Sequence, residues 1–125
     1  MVLTHIENTS NLPLSDAVIS AGLVFVSGQV GVLVKGEITE DDVRRQTRQA
    51  LENIRDILLS LLIETKHIVK VTVFPTEPAH IPEMNEAYRQ FFGGNSWPAR
   101  STVCGVELVR PEFLVEIEAV ASVAN

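Results

Sequence analysis

Residues 68–74, Ile-Val-Lys-Val-Thr-Val-Phe, constrain the fold more than any other segment of this 125-residue chain. Five of these seven residues are β-branched, which favours a strand. Pro75 and Pro78 follow closely, and proline is excluded from the interior of a central strand, so the strand ends there. Stretches with helical periodicity lie on either side of this segment. The pattern predicts a central strand with one helix before it and one after it in the chain.

Two amphipathic helices are predicted from the spacing of apolar residues. The first extends from a capping residue, Thr39, to about Leu62, with acidic residues at 40–42 where they interact favourably with the helix dipole. The second begins near Pro82, which suits a first helical turn, and ends at Gly93. The apolar positions with helical spacing are Val43, Ala50, Leu51, Ile54, Leu58 and Leu61 in the first helix, and Met84, Ala87, Tyr88 and Phe91 in the second.

Four further strands complete the predicted sheet. Residues 17–21 and 23–27 form a hairpin around Gly22, and residues 100–109 and 113–123 are joined around Pro111. The resulting order is ββαβαββ, with no repeat, linker or low-complexity segment, so residues 1–125 are predicted to form a single domain. Because each helix can cover part of one sheet, the expected fold class is α+β, a two-layer sandwich.

Charge and composition exclude several classes of partner. The chain has 10 basic and 16 acidic residues, and a net charge of −6 works against binding to nucleic acid or anionic membranes. Its longest apolar stretch, residues 57–63, is far shorter than the ~20 residues of a membrane span. A single cysteine, Cys104, rules out an internal disulfide, and the N-terminus lacks a signal-peptide pattern. These features predict a cytoplasmic protein with no nucleic-acid or membrane partner.

Other possible sites lack the required spacing. The three histidines are scattered without a zinc-ligand pattern, and no nucleotide-binding glycine motif is present, so no metal or cofactor is expected. Cys104, in an apolar strand, is predicted to be an inert core residue. The arginines of the first helix alternate with acidic residues, which indicates a solvated, ion-paired face rather than a nucleic-acid patch. These arginines are Arg44, Arg45, Arg48 and Arg55.

Arg100 and Glu116 are the strongest candidates for chemistry. Arg100 follows Pro98 at the start of a predicted strand, and its planar guanidinium suits the binding of a carboxylate through two oxygens. Glu116 lies in apolar company, where an unpaired charge costs several kcal/mol. Alternation places Glu116 and Glu118 on one strand face with Leu114 and Val120. A strand face that mixes apolar and acidic side chains indicates contact with another subunit, with a polar pocket at the boundary between the two subunits. The alternative is an exposed edge of the sheet with ordinary surface charges.

Three motifs together resemble the Rid family of reactive intermediate deaminases, the YjgF-type proteins that are also described as endoribonuclease L-PSP or translation initiation inhibitors. The motifs are S-G-Q-V-G at residues 27–31, P-A-R-S at residues 98–101 and E-I-E-A at residues 116–119. The resemblance implies a chorismate-mutase-like fold, in which a six-stranded mixed sheet carries two helices on one face. It also implies a homotrimer with clefts between subunits.

The resemblance implies hydrolysis of enamines and imines of amino acids to 2-keto acids and ammonia, without metal or cofactor. Arg100 is then expected to hold the carboxylate of a small 2-imino or 2-keto acid, and Glu116 to position or activate water. The other residues implied to line the cleft are Ser27, Gly28, Asn85 and Thr102. Leu14 occupies the position where the deaminases usually have tyrosine, so the cleft lacks a hydroxyl group there.

Two other functions stay open from the sequence. Leu14 favours a non-catalytic trimer that binds small carboxylates or regulates a partner. An endoribonuclease activity is attached to some members of the family that the chain resembles. It is less favoured because the chain is acidic and has no basic stripe or exposed aromatic run.

Overall fold

The computed structural model of the chain describes residues 3–33, 35–94 and 96–123, which form one six-stranded sheet with two helices on one of its faces. The helices are α1 (Val43–Ser60) and α2 (Ile81–Phe92). The strands are β1 (Thr4–Glu7), β2 (Ser15–Ser20), β3 (Leu23–Val30), β4 (Ile68–Pro75), β5 (Ala99–Thr102) and β6 (Val115–Ser122). The α+β two-layer fold and the six strands are confirmed.

The strands are arranged in the order β1-β2-β3-β6-β4-β5, so the last strand of the chain lies in the middle of the sheet. Only β4 and β5 are parallel among these neighbours; the other pairs are antiparallel. The central strand predicted at residues 68–74 is confirmed as β4. It separates β5, which carries Arg100, from β6, which carries Glu116.

The core lies between the helices and one face of the sheet. On β6 the side chains at alternate positions from Val115 to Ala121 are buried beneath the helices, together with Val24 of β3 and Val71 of β4. We call the other side of the sheet the open face. Its side chains on the central strands include Phe25, Thr72, Phe74, Glu116, Glu118 and Val120, as the alternation of burial and the strand register require.

One strand was absent from the prediction, and one predicted strand is too long. The order ββαβαββ omits β1, a four-residue edge strand whose sequence, Thr-His-Ile-Glu, carries too few apolar residues to be recognised. The strand predicted at residues 100–109 ends at Thr102, where pairing with β4 stops. Cys104 therefore lies beyond the strand and is exposed, whereas a core position was predicted.

The predicted start of the first helix is also wrong. The capping residue is Asp42, whose carboxylate accepts hydrogen bonds from the backbone N–H groups of Arg44 and Arg45. The helix begins at Val43, so the acidic residues predicted to lie in its first turn precede it instead. Both Thr39 and Asp42 are residue types that cap helices, and periodicity did not distinguish between them.

Candidate functional site

Arg100 is held on the helix side of the sheet by two polar neighbours. Its Nη2 donates a hydrogen bond to Asn85 Oδ1 of α2 at 2.7 Å, and its Nε donates to Thr102 Oγ1 at 3.1 Å. Its Cζ lies 4.8 Å from the centroid of the Tyr88 ring, within the range of a cation–π contact. These bonds use two of the five guanidinium N–H groups, and neither acceptor is charged. The fixed guanidinium thus has three further N–H donors for a ligand, and its two hydrogen-bond acceptors do not neutralise it.

A cavity of about 340 Å³ opens beside Arg100. Its wall is aromatic, because the rings of Tyr88 and Trp97 stack with centroids 6.2 Å apart. Burial raises the pKa of Tyr88 to about 12, against the opposing effect of Arg100, so Tyr88 is a neutral phenol at physiological pH. The lining residues are Asn85, Tyr88, Arg89, Trp97, Pro98 and Arg100. A volume of this size suits a small ligand.

Glu116 lies on the open face, between Val30 of β3 and Phe74 of β4 in the register of the sheet. It packs against Gly28, where the pairing of β3 with β6 is irregular. Burial raises the pKa of the Glu116 carboxyl above its ordinary value, and the nearby Glu118 carboxylate adds to the effect. A partly buried carboxyl with a raised pKa has the character expected of a proton acceptor in catalysis.

Ser27 and Leu14 lie at a wide groove near the N-terminal strands. The Ser27 hydroxyl donates a hydrogen bond to the backbone oxygen of Ser15 at 2.6 Å, which fixes the start of β2 against β3. Leu14 is 46% exposed and presents apolar surface to the groove. Ser27 thus orders this part of the open face through a backbone contact.

The seven residues predicted for the site separate into two groups. The helix-side group consists of Asn85, Arg100 and Thr102, and the open-face group consists of Leu14, Ser27, Gly28 and Glu116.

The register of β4 explains this separation. Arg100 pairs with Val71, which is buried beneath the helices, whereas Glu116 pairs with Phe74, three residues further along β4. An odd spacing puts two positions on opposite faces of a sheet. The two residues are also displaced by roughly 10 Å along the strands and about 10 Å across them. A single chain therefore does not bring Arg100 and Glu116 into one pocket.

Sequence reasoning missed two residues of the Arg100 cavity, Arg89 and Trp97. The signal for Arg89 was available, because it follows Asn85 by four residues and so lies on the same side of a helix. Trp97 directly precedes the P-A-R-S motif but was not assigned a role.

No group of three potential metal-ligating side chains is found within the described ranges. No helix in the described part of the chain has the length and apolar character needed to cross a membrane.

The predicted ion-paired face of α1 is confirmed. Arg44 contacts carboxylates of α2, and the other three arginines pair with carboxylates near them in the sequence. The pairs are Arg44 with Glu83 and Glu86, Arg45 with Glu40, Arg48 with Glu52, and Arg55 with Asp56. The arginines of this face are therefore neutralised locally.

Curated relatives match most of the length of the chain. A RutC family protein of Pyrococcus horikoshii is 39% identical over 110 residues, which cover 87% of this chain and 86% of the relative. Escherichia coli TdcF, which is named for a reactive intermediate deaminase activity, is 37% identical over 112 residues, or 87% of this chain and 85% of TdcF.

Solved structures match over almost the whole length. The structure of YyfA from Yersinia pestis, described as a member of the conserved Rid protein family, has a TM-score of 0.89 at 35% identity and covers 97% of this chain and 99% of its own. The structure of E. coli TdcF with bound serine has a TM-score of 0.86 at 34% identity, over 95% and 98% of the two chains. Because the family described as Endoribonuclease L-PSP also matches residues 6–123, the chain belongs to that family, whose members include Rid and YjgF proteins.

Proposed function

We propose that the protein hydrolyses reactive imine and enamine intermediates of amino acids to 2-keto acids and ammonia, in the cytoplasm and without a cofactor. The observation that carries the proposal is the state of Arg100, an immobilised guanidinium with three free donors beside a cavity of small-ligand size. A carboxylate bound there by two oxygens has a fixed orientation, which favours reaction at the adjacent carbon. The name of TdcF and its structure with bound serine support a small amino-acid-derived ligand.

In the proposed reaction Glu116 acts as a general base. Its carboxylate takes a proton from water while the water oxygen bonds to the imine carbon, giving a tetrahedral carbinolamine. Glu116 then returns this proton to nitrogen. As the carbon–nitrogen bond breaks, the carbinolamine hydroxyl gives its proton to the Glu116 carboxylate, so that ammonia leaves and the carbonyl of the 2-keto acid forms. An enamine first takes up a proton at its terminal carbon to become the imine. Burial of Glu116 supports this role, because a raised pKa makes the carboxylate a stronger base.

We infer that the reacting centre is formed between copies of the chain, with the Arg100 of one copy facing the Glu116 of the next. The open face supports this inference, because apolar side chains cross its centre without helices to cover them. Phe25 of β3 is 46% exposed and pairs with Val120 of β6. The arrangement proposed is a homotrimer with three equivalent clefts, in which each subunit supplies its helix-side group to one cleft and its open-face group to another.

Mixing two inactive variants tests this proposal. Arg100→Gln and Glu116→Gln are each expected to abolish most hydrolysis of freshly generated 2-aminoacrylate, measured as ammonia release. After the two are unfolded and refolded together in equal amounts, about a quarter of the clefts contain both native residues. Recovery of roughly that fraction of wild-type activity supports a shared site. Refolded single variants are the controls, and no recovery in the mixture contradicts a cleft shared between copies.

Binding measurements separate catalysis from recognition. Arg100→Lys keeps the charge but loses the planar fork, so calorimetric affinity for pyruvate or 2-ketobutyrate is expected to fall by roughly 1–3 kcal/mol. Glu116→Gln is expected to keep most of that affinity and to slow imine hydrolysis by about 100-fold or more. Unchanged affinity in Arg100→Lys contradicts the proposed role of Arg100.

Leu14 favours a second function, a trimer that binds small carboxylates without catalysis. Its exposed apolar side chain lies in the open-face groove where the deaminases that the chain resembles usually have a tyrosine. If the missing hydroxyl limits catalysis, Leu14→Tyr raises the rate of 2-aminoacrylate hydrolysis. Equal rates for the wild type, Glu116→Gln and buffer alone, together with retained keto-acid binding, favour the binding function. The paired arginines of α1 offer no support for RNA binding.

A further inference from the structure

Most arginines of the chain form ion pairs with carboxylates, but two do not within the described residues. Of its seven arginines, five have a carboxylate oxygen within 4.0 Å: the four of α1, and Arg110, which pairs with Glu112. Arg89 and Arg100 have no such partner within residues 3–33, 35–94 and 96–123. These two line the same cavity, the one walled by Tyr88 and Trp97. The chain as a whole has a net charge of −6. The lining of this cavity contains the two arginines and no carboxylate, so the cavity is locally positive.

The geometry of α2 links the two arginines. Asn85 accepts the hydrogen bond from Arg100 Nη2, and Arg89 follows Asn85 by four residues, one helical turn further along the same side. Arg100 is fixed at its position, whereas Arg89 is exposed at the cavity margin with a long side chain that can reorient. The cavity therefore offers one rigid and one adjustable anion-binding group, separated by about a helical turn.

We propose that this cavity binds dianionic ligands, namely 2-keto or 2-imino dicarboxylic acids, with the 1-carboxylate on Arg100 and the distal carboxylate on Arg89. The inference rests on the proposed function for the role of Arg100 and adds the class of substrate side chain. Trp97 and Tyr88 supply an apolar wall of the same cavity, which suits the methylene groups between the two carboxylates. A ligand with a neutral or apolar side chain forms no ion pair with Arg89 and so gains less from its charge.

Matched pairs of keto acids test the inference by calorimetry. We compare 2-ketoglutarate with 2-ketovalerate, and oxaloacetate with 2-ketobutyrate, so that chain length is constant and only the distal carboxylate differs. Wild-type protein is expected to bind the dicarboxylate about tenfold more tightly in at least one pair. Arg89→Gln is expected to remove this preference, because it lowers dicarboxylate affinity much more than monocarboxylate affinity. The matched control is Arg45→Gln, which removes one exposed charge from the ion-paired face of α1 and is expected to keep the preference.

The outcomes separate this inference from the proposed function. Equal affinity for both members of each pair, or equal loss of both in Arg89→Gln, overturns the dicarboxylate site. Hydrolysis of 2-aminoacrylate in the same preparation then shows that the proposed activity is intact. Conversely, a preference that depends on Arg89 supports the site even where no imine is hydrolysed. Loss of the preference in Arg45→Gln as well overturns the dicarboxylate site, because a general effect of net charge then explains the binding.

The preference for dicarboxylates is also expected to weaken as salt rises from 50 mM to 500 mM, since exposed charges are screened.

Discussion

The carboxyl group of Glu116 occupies the space that a side chain at Gly28 would need. A Cβ atom added at residue 28 would lie 2.9 Å from Glu116 Cδ and closer still to Oε2, so no side chain fits there without moving the carboxyl group. The backbone of Gly28 is not in the left-handed region, so the requirement for glycine comes from this contact and not from the main-chain conformation. The glycine of S-G-Q-V-G thus sets the position of the glutamate of E-I-E-A.

Gly28→Ala is therefore expected to displace Glu116 while Arg100 and its cavity stay intact. Because a displacement of about 1 Å from a reactive geometry can cost 100-fold, imine hydrolysis should fall by about tenfold or more. Calorimetric affinity for keto acids should change by less than about threefold, since binding depends on Arg100. Gly36→Ala strains a left-handed backbone (φ of 86°) but meets open space, so it is the control for a destabilising glycine substitution that does not touch Glu116. Unchanged hydrolysis in Gly28→Ala contradicts the role of Glu116.

The pH dependence of hydrolysis should reflect the interaction of Glu116 with Glu118. Burial is the main cause that raises the pKa of Glu116, and the negative charge of Glu118 is the second. A general base works deprotonated, so the rate falls as the pH drops through this pKa. Glu118→Gln removes the second cause and should move the acidic limb of the rate profile to lower pH. Glu64→Gln, on the surface beside Lys66, should leave the profile unchanged. A shift to higher pH in Glu118→Gln contradicts the assignment.

The uncovered open face predicts the oligomeric state. Light scattering should give a mass of about 41 kDa, three times that of the 13.8 kDa chain. Phe25→Lys puts a charge among the apolar side chains at the centre of this face and should shift the mass towards the monomer. Val109→Lys, at an 86% exposed position outside the open face, should keep the mass of the trimer. A stable monomer of the wild type at micromolar concentration contradicts the proposed shared clefts.

Gln46 is a fully buried polar residue whose amide connects α1 to the segment before β6. Its Oε1 accepts from the Leu114 N–H at 2.8 Å, and its Nε2 donates to the Glu112 carbonyl at 3.0 Å. Gln46→Met keeps the length of the side chain but leaves these backbone groups unpaired, so the free energy of unfolding should fall by about 2–4 kcal/mol. Gln90→Met, at an exposed position of α2, should change it by less than about 0.5 kcal/mol in the same denaturant titration.

Leu62 has a left-handed backbone conformation, with φ of 61°, just after the end of α1, and its side chain is 91% exposed. Leucine is strained in this conformation and contributes almost no burial there. Leu62→Gly should therefore stabilise the protein by about 0.5–1 kcal/mol in a denaturant titration. Leu62→Ala removes the same apolar surface but keeps a Cβ atom, and should give no comparable gain. Equal stabilisation by both variants would show that exposure, not backbone strain, is the cause.

The layers of the fold were predictable because they depend on local patterns. Apolar residues at helical spacing identified both helices, and β-branched residues identified β4. The strand β1 was not recognised, since a four-residue edge strand buries little surface and carries little periodicity. The choice of Asp42 over Thr39 as a cap also depends on a single hydrogen-bonding arrangement that both residue types allow.

The relation between the candidate residues could not be predicted in the same way. Alternation gives the relative orientation of side chains within one strand, but Arg100 and Glu116 lie on strands that are separated by β4. Their orientation depends on which residues of β4 they pair with, and this register is determined by long-range packing. The helical spacing of Arg89 from Asn85 is visible in the sequence, but only the folded arrangement shows that Arg89 has no carboxylate within 4.0 Å among the residues that the structure describes.

The placement of Arg100 and Glu116 on opposite faces has a consequence for how activity depends on expression level. If each cleft takes one residue from each of two copies, an isolated chain has binding groups but no complete reaction centre. Turnover per chain then rises with protein concentration until assembly is saturated, by mass action. A cell that halves its supply of the chain near this threshold loses more than half of its capacity to clear the substrate. Abundance, as well as the rate constant of each cleft, would then set the flux.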